Sequence, residues 1–349
     1  MTRAYRNLVY IVFEIIQYLK QMPLLSINSQ YKPPKWQFNA HIQTIYPSLF
    51  RKIPVNYKRE RVELLDGDFI DFDWSITAKT RGKKLVIVTH GLEGDSTRHY
   101  VTGMIKKFND NGYDGLGWNC RSCSGEMNRL PRFYHHGDVD DIRFVVNYAI
   151  NTYKYEEVIL VGFSMGGSMT IRLLGQNPEL LPSQIKYGIA VSVPLDLYTS
   201  VYELYKPGRR FYMKRFIKKL GAKIKEKSTQ HPDNKLVSYE GYEKIENFEQ
   251  FDSRYTAPMF GFKNAHDFYK QAAAKPFLKS IQVPTLIVQA INDPFLSPEC
   301  LDLGDAENNS NVSLQLLKFG GHVGFMLPNS NETWVECRVI EFINEFKNL

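Results

Sequence analysis

Ile159-Leu160-Val161-Gly162-Phe163-Ser164-Met165-Gly166-Gly167 passes from a run of apolar residues into glycines set around one serine. The apolar run is short and continuous, as in a strand buried on both faces, and "SMGGSMTIRLLGQ" (164–176) after it has helical character. Ser164 is therefore predicted at a strand-to-helix turn. Gly162 and Gly166 complete the pattern G-x-S-x-G, a nucleophile elbow. In so sharp a turn the side chains two residues either side of the serine would collide, and glycine removes the clash. The new helix also directs its unpaired N–H groups at the serine. The pattern alone is weak evidence; its place between a strand and a helix makes Ser164 a candidate nucleophile.

Other segments repeat the strand signal. "KLVIVTH" (84–90), "EEVILVGF" (156–163), "YGIAVSV" (187–193), "PTLIVQA" (284–290) and "VSLQLLKF" (312–319) are buried-parallel runs, and "YDGLGWN" (113–119) is a weaker one. "RVELLDGDFIDFDW" (61–74) places β-rich halves around Asp66-Gly67, a hairpin signal. Helical patterns lie between most of them, which predicts an α/β fold: a mostly parallel eight-stranded sheet flanked by helices. Residues 198–275 break the alternation with no strong strand signal and many aromatics. They are expected to form an inserted helical lid, leaving 1–197 and 276–349 as the core.

Composition narrows the function. With 43% hydrophobic residues over 349 positions, the chain can bury a large core. Its net charge of +7 is not spread: residues 201–230 hold ten Lys or Arg against two Glu, and the remainder is near neutral. That pattern argues against a nucleic-acid partner. The cysteines, Cys120, Cys123, Cys300 and Cys337, are too few to build the fold on disulfides, so a reducing, cytoplasmic setting is expected. Cys120 and Cys123 form a C-x-x-C, but neither a redox nor a zinc context accompanies it, and His135 and His136 are adjacent, which suits one metal badly. They read as ordinary loop or buried cysteines.

The N-terminal "MTRAYRNLVYIVFEIIQYLK" has Leu8, Ile11, Val12, Ile15 and Leu19 at helical spacing, with Glu14 and Gln17 interrupting the apolar run. An amphipathic helix over residues 1–22, packed on the domain, is expected rather than a membrane span or a cleaved leader, with interfacial membrane contact as the alternative.

A serine hydroxyl attacks only when a base takes its proton, and the base needs an acid to orient it. Asp293, in "AINDPF" after the 284–290 strand, and His322, in "KFGGHVGF" after the 312–319 strand, follow Ser164 in the order such turns require. The oxyanion needs donors as well. The Met165 N–H stands directly after the nucleophile, and "THGLEGDS" (89–96) nominates the Leu92 N–H as the second. Such a triad requires no cofactor and no metal.

At this point the chain resembles the YheT-like α/β-hydrolases, a family of bacterial esterases and eukaryotic membrane-linked lipid hydrolases. The likeness rests, in order, on "KPPKW", "NAHIQTIYP", "HGLEGDS", "NCRSCSGEMNRLPRFYHHG", "GFSMGG", "NDPF" and "GGHVGF", and covers nearly the whole chain. It implies an α/β-hydrolase fold with a helical lid and activity on carboxylic esters, short- to medium-chain or lipid. The family nucleophile falls on Ser164, its acid on Asp293 and its base on His322. Some eukaryotic members move acyl groups to alcohols, so an acyltransferase is an alternative, and a non-catalytic binding module is a more distant one. No full membrane-spanning helix precedes the first motif, in contrast to the eukaryotic pattern.

In "RRFYMKRFIKKLGAKIKEK" (209–227), Met213, Phe216, Ile217, Leu220 and Ile224 follow helical spacing with Lys and Arg on the other faces, and Gly221 interrupts the pattern. Such a lid helix either covers the site with its charges in water or makes peripheral contact with anionic lipid. His41, Gln43, Thr44 and His135 are expected to brace the site rather than serve as its base.

Overall fold

The computed structural model describes residues 24–25, 31–77 and 82–347. The helix expected over residues 1–22 lies outside the described residues. The strands are β1 (Leu24–Leu25), β2 (Lys58–Glu63), β3 (Phe69–Ser75), β4 (Lys84–Thr89), β5 (Asp114–Asn119), β6 (Glu157–Phe163), β7 (Ile185–Val191), β8 (Thr285–Ala290) and β9 (Val312–Leu317). They form one sheet in the order β1-β9-β8-β7-β6-β4-β5-β3-β2. Only β2 with β3 and β3 with β5 pair antiparallel; the other pairs are parallel. The eight expected strands are present, and the ninth, β1, is a two-residue edge too short to leave a sequence pattern.

The apolar runs are continuous because the central strands are covered on both faces: Leu85, Val86, Ile87 and Val88 of β4 are fully buried. Helices α2 (His99–Asn109) and α8 (Trp334–Lys347) cover one face, and α3 (Asp140–Tyr153) and α4 (Met165–Gln176) the other. β5 reads weakly in the sequence because two of its positions make room for α2. A Cβ on Gly115 would lie 2.5 Å from Ile105 Cγ2, inside any tolerable contact. Between β1 and β2, α1 (Ala40–Phe50) starts at Asn39, whose side chain accepts the Ile42 N–H.

Between β7 and β8 the chain leaves the sheet. Leu195 O accepts from both Ala274 N and Lys275 N, at 3.2 and 3.0 Å, so the excursion departs and returns at one point. It contains α5 (Leu197–Glu203), the long α6 (Arg210–Gln230), short turns through 242–260 and α7 (Ala265–Ala272). Its own apolar cluster includes Ile217, Ile224, Tyr242, Phe251, Tyr255 and Phe268. Gly221 does not interrupt α6. A Cβ there would lie 2.4 Å from the Tyr242 ring, so the glycine admits the ring against the helix, an advantage that offsets its weak helix propensity. The lysines of α6 do not all face water either. Lys219 donates to Glu93 O at 3.2 Å, Lys223 pairs with Glu93 Oε1 at 2.9 Å, and Lys227 donates to Asn128 O. One basic stripe, at intervals of four residues, is turned onto the core.

Candidate active site

Ser164 joins β6 to α4 with φ 54° and ψ −119°, a backbone state costly for a residue with a side chain. The neighbouring glycines make it possible. A Cβ on Gly162 would lie 2.2 Å from Gly166 O, and one on Gly166 would lie 2.4 Å from Thr89 O and 2.6 Å from His90 O. β4 and β6 are paired neighbours, so the elbow is pressed against the end of β4.

His322 follows β9 on a loop with left-handed backbone at Gly321 and Val323. Its Nε2 lies 2.9 Å from Ser164 Oγ and its Nδ1 lies 2.8 Å from Asp293 Oδ2. Asp293, after β8, has no exposed side-chain surface, and its Oδ1 accepts the Phe295 N–H at 2.8 Å. The Phe295 ring stacks on the imidazole, centroids 4.1 Å apart and planes at 12°. The carboxylate therefore faces one ring nitrogen, the serine the other, and the aromatic face keeps water from a third side.

The loop carrying His322 hangs on α1. Thr44 Oγ1 accepts the His322 N–H at 2.9 Å, and Gln43 Oε1 accepts from Gly320 N at 3.0 Å and Asn292 Nδ2 at 2.9 Å. A Cβ on Gly324 would lie 2.1 Å from Gln43 O. Gln43 and Thr44 thus brace the loops of Asp293 and His322 together, the role expected of them. His41 faces the insert instead, with Nδ1 3.1 Å from the Tyr212 hydroxyl.

Among the described residues, the N–H groups of Leu92 and Met165 meet no hydrogen-bond acceptor. The Leu92 loop is pinned by His90. Its Nδ1–H donates to Gly91 O at 2.7 Å and its Nε2 accepts the Cys120 N–H at 3.1 Å, which fixes a neutral tautomer. Burial pushes the His90 pKa down to about 4, in keeping with that neutral state. Gly91 N–H donates to the Tyr100 hydroxyl at 3.2 Å, holding the loop from the other side.

Ser164 and His322 open onto a cavity of about 110 Å³ beneath the insert, walled by Phe133, Phe216, Phe248, Tyr255 and Phe268 among others. A second cavity of about 130 Å³ meets the same serine from the side of α1 and includes Ile45, Arg98, Tyr212 and Lys219. His135 and His136 line the first cavity, and burial lowers their pKa to about 3 and about 4, so both are neutral. His135 packs its ring on Phe260, Phe262 and Phe268, and its Nδ1 accepts the Gly137 N–H at 3.0 Å, so it lines the wall as well as bracing it.

Three contributors left little trace in the sequence. Phe295 sits inside the "NDPF" motif, yet nothing in that motif predicts its stacking on His322. Glu93 receives Lys223 and the Tyr134 hydroxyl from distant segments. Asp252 lies within a π-helical turn, Asp252–Thr256, and is buried in the cavity wall, where it accepts from Thr256 Oγ1 at 2.6 Å and the Tyr269 hydroxyl at 2.8 Å. Burial raises its pKa to about 7. The cysteines of the C-x-x-C are both buried, with thiols pushed up by that burial. Among the described residues, no cluster of His, Cys, Asp and Glu is arranged to hold a metal ion.

Comparison with known proteins places this geometry. The profile of a family described as alpha/beta hydrolase fold matches residues 84–328. The YheT protein of Escherichia coli is 30% identical over 325 residues, covering 92% of this chain and 95% of its own length. The human phospholipase ABHD3 is 28% identical, covering 86% of this chain and 74% of its own. An esterase structure from Pyrococcus furiosus superposes with a TM-score of 0.55 at 18% identity, over 83% of this chain and 91% of that one, a likeness of fold alone.

Proposed function

The chain belongs to the α/β-hydrolase family, in the YheT-like branch whose motifs it carries, and on that footing we propose that it is a serine carboxylic ester hydrolase. The observation that carries the reading is the unbroken line from Asp293 through His322 to Ser164, at 2.8 and 2.9 Å, opening onto an apolar cavity.

The mechanism follows from these positions. The Ser164 hydroxyl donates to His322 Nε2, so the imidazole takes its proton as Oγ forms a bond to the ester carbonyl carbon. Asp293 holds Nδ1–H and stabilises the imidazolium. The N–H groups of Leu92 and Met165 face the oxygen on which negative charge develops. His322 returns the proton to the alcohol oxygen as the carbon–oxygen bond breaks, leaving an acyl-serine. Water then attacks the acyl carbon, giving its proton to the same imidazole, which passes that proton to Ser164 Oγ as the acyl–oxygen bond breaks and the acid departs.

Residues 198–275 act as the lid: they supply the aromatic wall that receives the acyl chain and excludes bulk water. The size and apolar lining of the cavity suit short- to medium-chain acyl groups or lipid esters, in keeping with a relative named as a phospholipase. Because that cover limits water at Ser164, transfer of the acyl group to an alcohol is the second reading; an ester product formed only when alcohol is added is its test.

The first experiment is labelling with a fluorophosphonate. Modification of Ser164 in the folded protein, and none in Ser164→Ala, is expected. Labelling elsewhere, or unchanged ester hydrolysis in Ser164→Ala, overturns the reading.

A further inference from the structure

α1 is built inside out. Its buried residues are Gln43, Thr44 and Pro47, and the two polar ones hold the loops of Asp293 and His322. Apart from Ser48 and the half-buried His41, its outward residues are apolar: Leu49 is 54% exposed and Phe50 63%, with Ile42, Ile45 and Tyr46 half-buried beside them. Just before the helix, Trp36 is 47% and Phe38 77% exposed, and Phe211 of α6, 46% exposed, reaches the same side through His41, its ring 5.8 Å away. Five of the ten large apolar residues exposed among the described residues thus belong to this one region. Single exposed apolar side chains are ordinary, but a cluster on a helix whose polar side faces the core signals an apolar partner.

Charge identifies the partner. There is no Asp or Glu anywhere in residues 31–52 or in 204–225. The exposed charges there, Lys32, Lys35 and Lys52 near α1 and Arg210, Lys214, Arg215 and Lys218 on α6 among them, are all cationic. Arg215 has no ion-pair or hydrogen-bond partner among the described residues. A second copy of the chain meeting this face would bring like charges together, and residues 1–30, with three Lys or Arg against one Glu, offer no complement either. An anionic lipid surface meets both requirements, since aromatic side chains enter the interface while cations pair with headgroups.

Position gives the surface its use. Thr44, Ile45 and Ser48 of α1 wall the cavity that reaches Ser164, so the apolar face borders the mouth of the site. We propose that α1, with Trp36, Phe38 and Phe211, is a docking surface for an anionic phospholipid bilayer that holds the mouth of the Ser164 cavity against the lipid. This deepens the lipid-ester reading of the same site, while the binding it asserts does not depend on turnover.

The test uses the full chain carrying Ser164→Ala, so that vesicles stay intact, in co-sedimentation with phosphatidylcholine vesicles with and without phosphatidylglycerol. Binding is expected to the anionic vesicles and to fall as salt is raised. Adding Phe38→Ser and Phe50→Ser is expected to weaken it at least about tenfold. The same two substitutions in the Ser164 protein leave hydrolysis of a water-soluble ester unchanged, which shows the fold intact. No binding to anionic vesicles, equal binding with and without the two substitutions, or a dimer that those substitutions dissociate would each overturn the proposal. Absence of soluble-ester hydrolysis in the Ser164 protein, with vesicle binding intact, would refute the hydrolase reading alone.

Discussion

Gly166 at the elbow and Gly221 in α6 are equally crowded, and what crowds them differs. A Cβ on either would lie 2.4 Å from its nearest neighbour. At Gly166 that neighbour is the carbonyl oxygen of Thr89 in a central strand; at Gly221 it is the ring of Tyr242. A main-chain carbonyl held in a parallel sheet has nowhere to go. A ring can shift, even one whose hydroxyl donates to Ile217 O at 2.7 Å. The sheet side of the site is therefore fixed by backbone against backbone, and the insert side by side chains against side chains. On our reading chemistry rests on the first and substrate choice on the second.

The comparison is tested most strongly at the serine itself. Ser164→Ala is expected to lower kcat for ester hydrolysis by about a thousandfold or more with the thermal transition kept, because a side chain is lost but no backbone contact is. The two glycines come next. Gly166→Ala forces the elbow against β4 and is expected to cost more than about 3 kcal/mol, abolishing both activity and the native transition. Gly221→Ala is expected to cost only about 1–2 kcal/mol, since better helix propensity offsets part of the strain on Tyr242. It should alter KM more than kcat. Equal losses from the two substitutions, in denaturant melts, would erase the distinction between the two sides.

The same distinction explains what the sequence makes legible. Sheet strands such as β4 and β6 announce themselves because burial on both faces demands unbroken apolar runs, and the elbow because only glycine fits at 162 and 166. Asp293 and His322 are nominated by counting strands. The insert obeys no such periodicity: Asp252 accepts from Thr256 and Tyr269, and Lys223 meets Glu93 from 130 positions away. Such pairings are consequences of tertiary packing and leave no local pattern. Gly221 misleads for the same reason, since its cause lies in the Tyr242 ring 21 residues further on. In α1 the polar residues Gln43 and Thr44 are legible as bracing residues from their motif, but not the loops they hold, because those lie about 250 or more positions away.

Thr44 sits where the two sides meet. Its hydroxyl accepts the His322 N–H, and no other contact of His322 reaches back to α1 so directly. Thr44→Val keeps the shape and removes the acceptor, leaving a buried N–H unpaired. Loss of the bond loosens the loop that aims the imidazole, so kcat is expected to fall roughly tenfold with KM little changed, and labelling of Ser164 by a fluorophosphonate to slow in proportion. A rise in KM alone would place Thr44 with the substrate-facing wall instead.

The last effect is one of pH and belongs to Asp252, buried in the insert wall with its pKa raised from 3.8 to about 7, mainly by burial. In the unfolded chain this carboxyl releases its proton near pH 4; in the folded protein it keeps the proton until about pH 7. Between those values the folded state binds more protons than the unfolded state, so stability falls as pH rises, by at most about 1.4 kcal/mol per unit, and the slope ends above pH 7. Asp252→Asn removes this dependence while leaving an oxygen to accept one of the two hydroxyls. Relative to the variant, the parent is therefore expected to lose thermal stability between pH 5 and pH 7 and to run parallel to it above. Parallel melting curves across the whole range would mean that the carboxylate is already ionised in the wall, with its charge met by the Thr256 and Tyr269 hydroxyls, and the apolar chamber would then hold a fixed negative charge that any acyl chain must avoid.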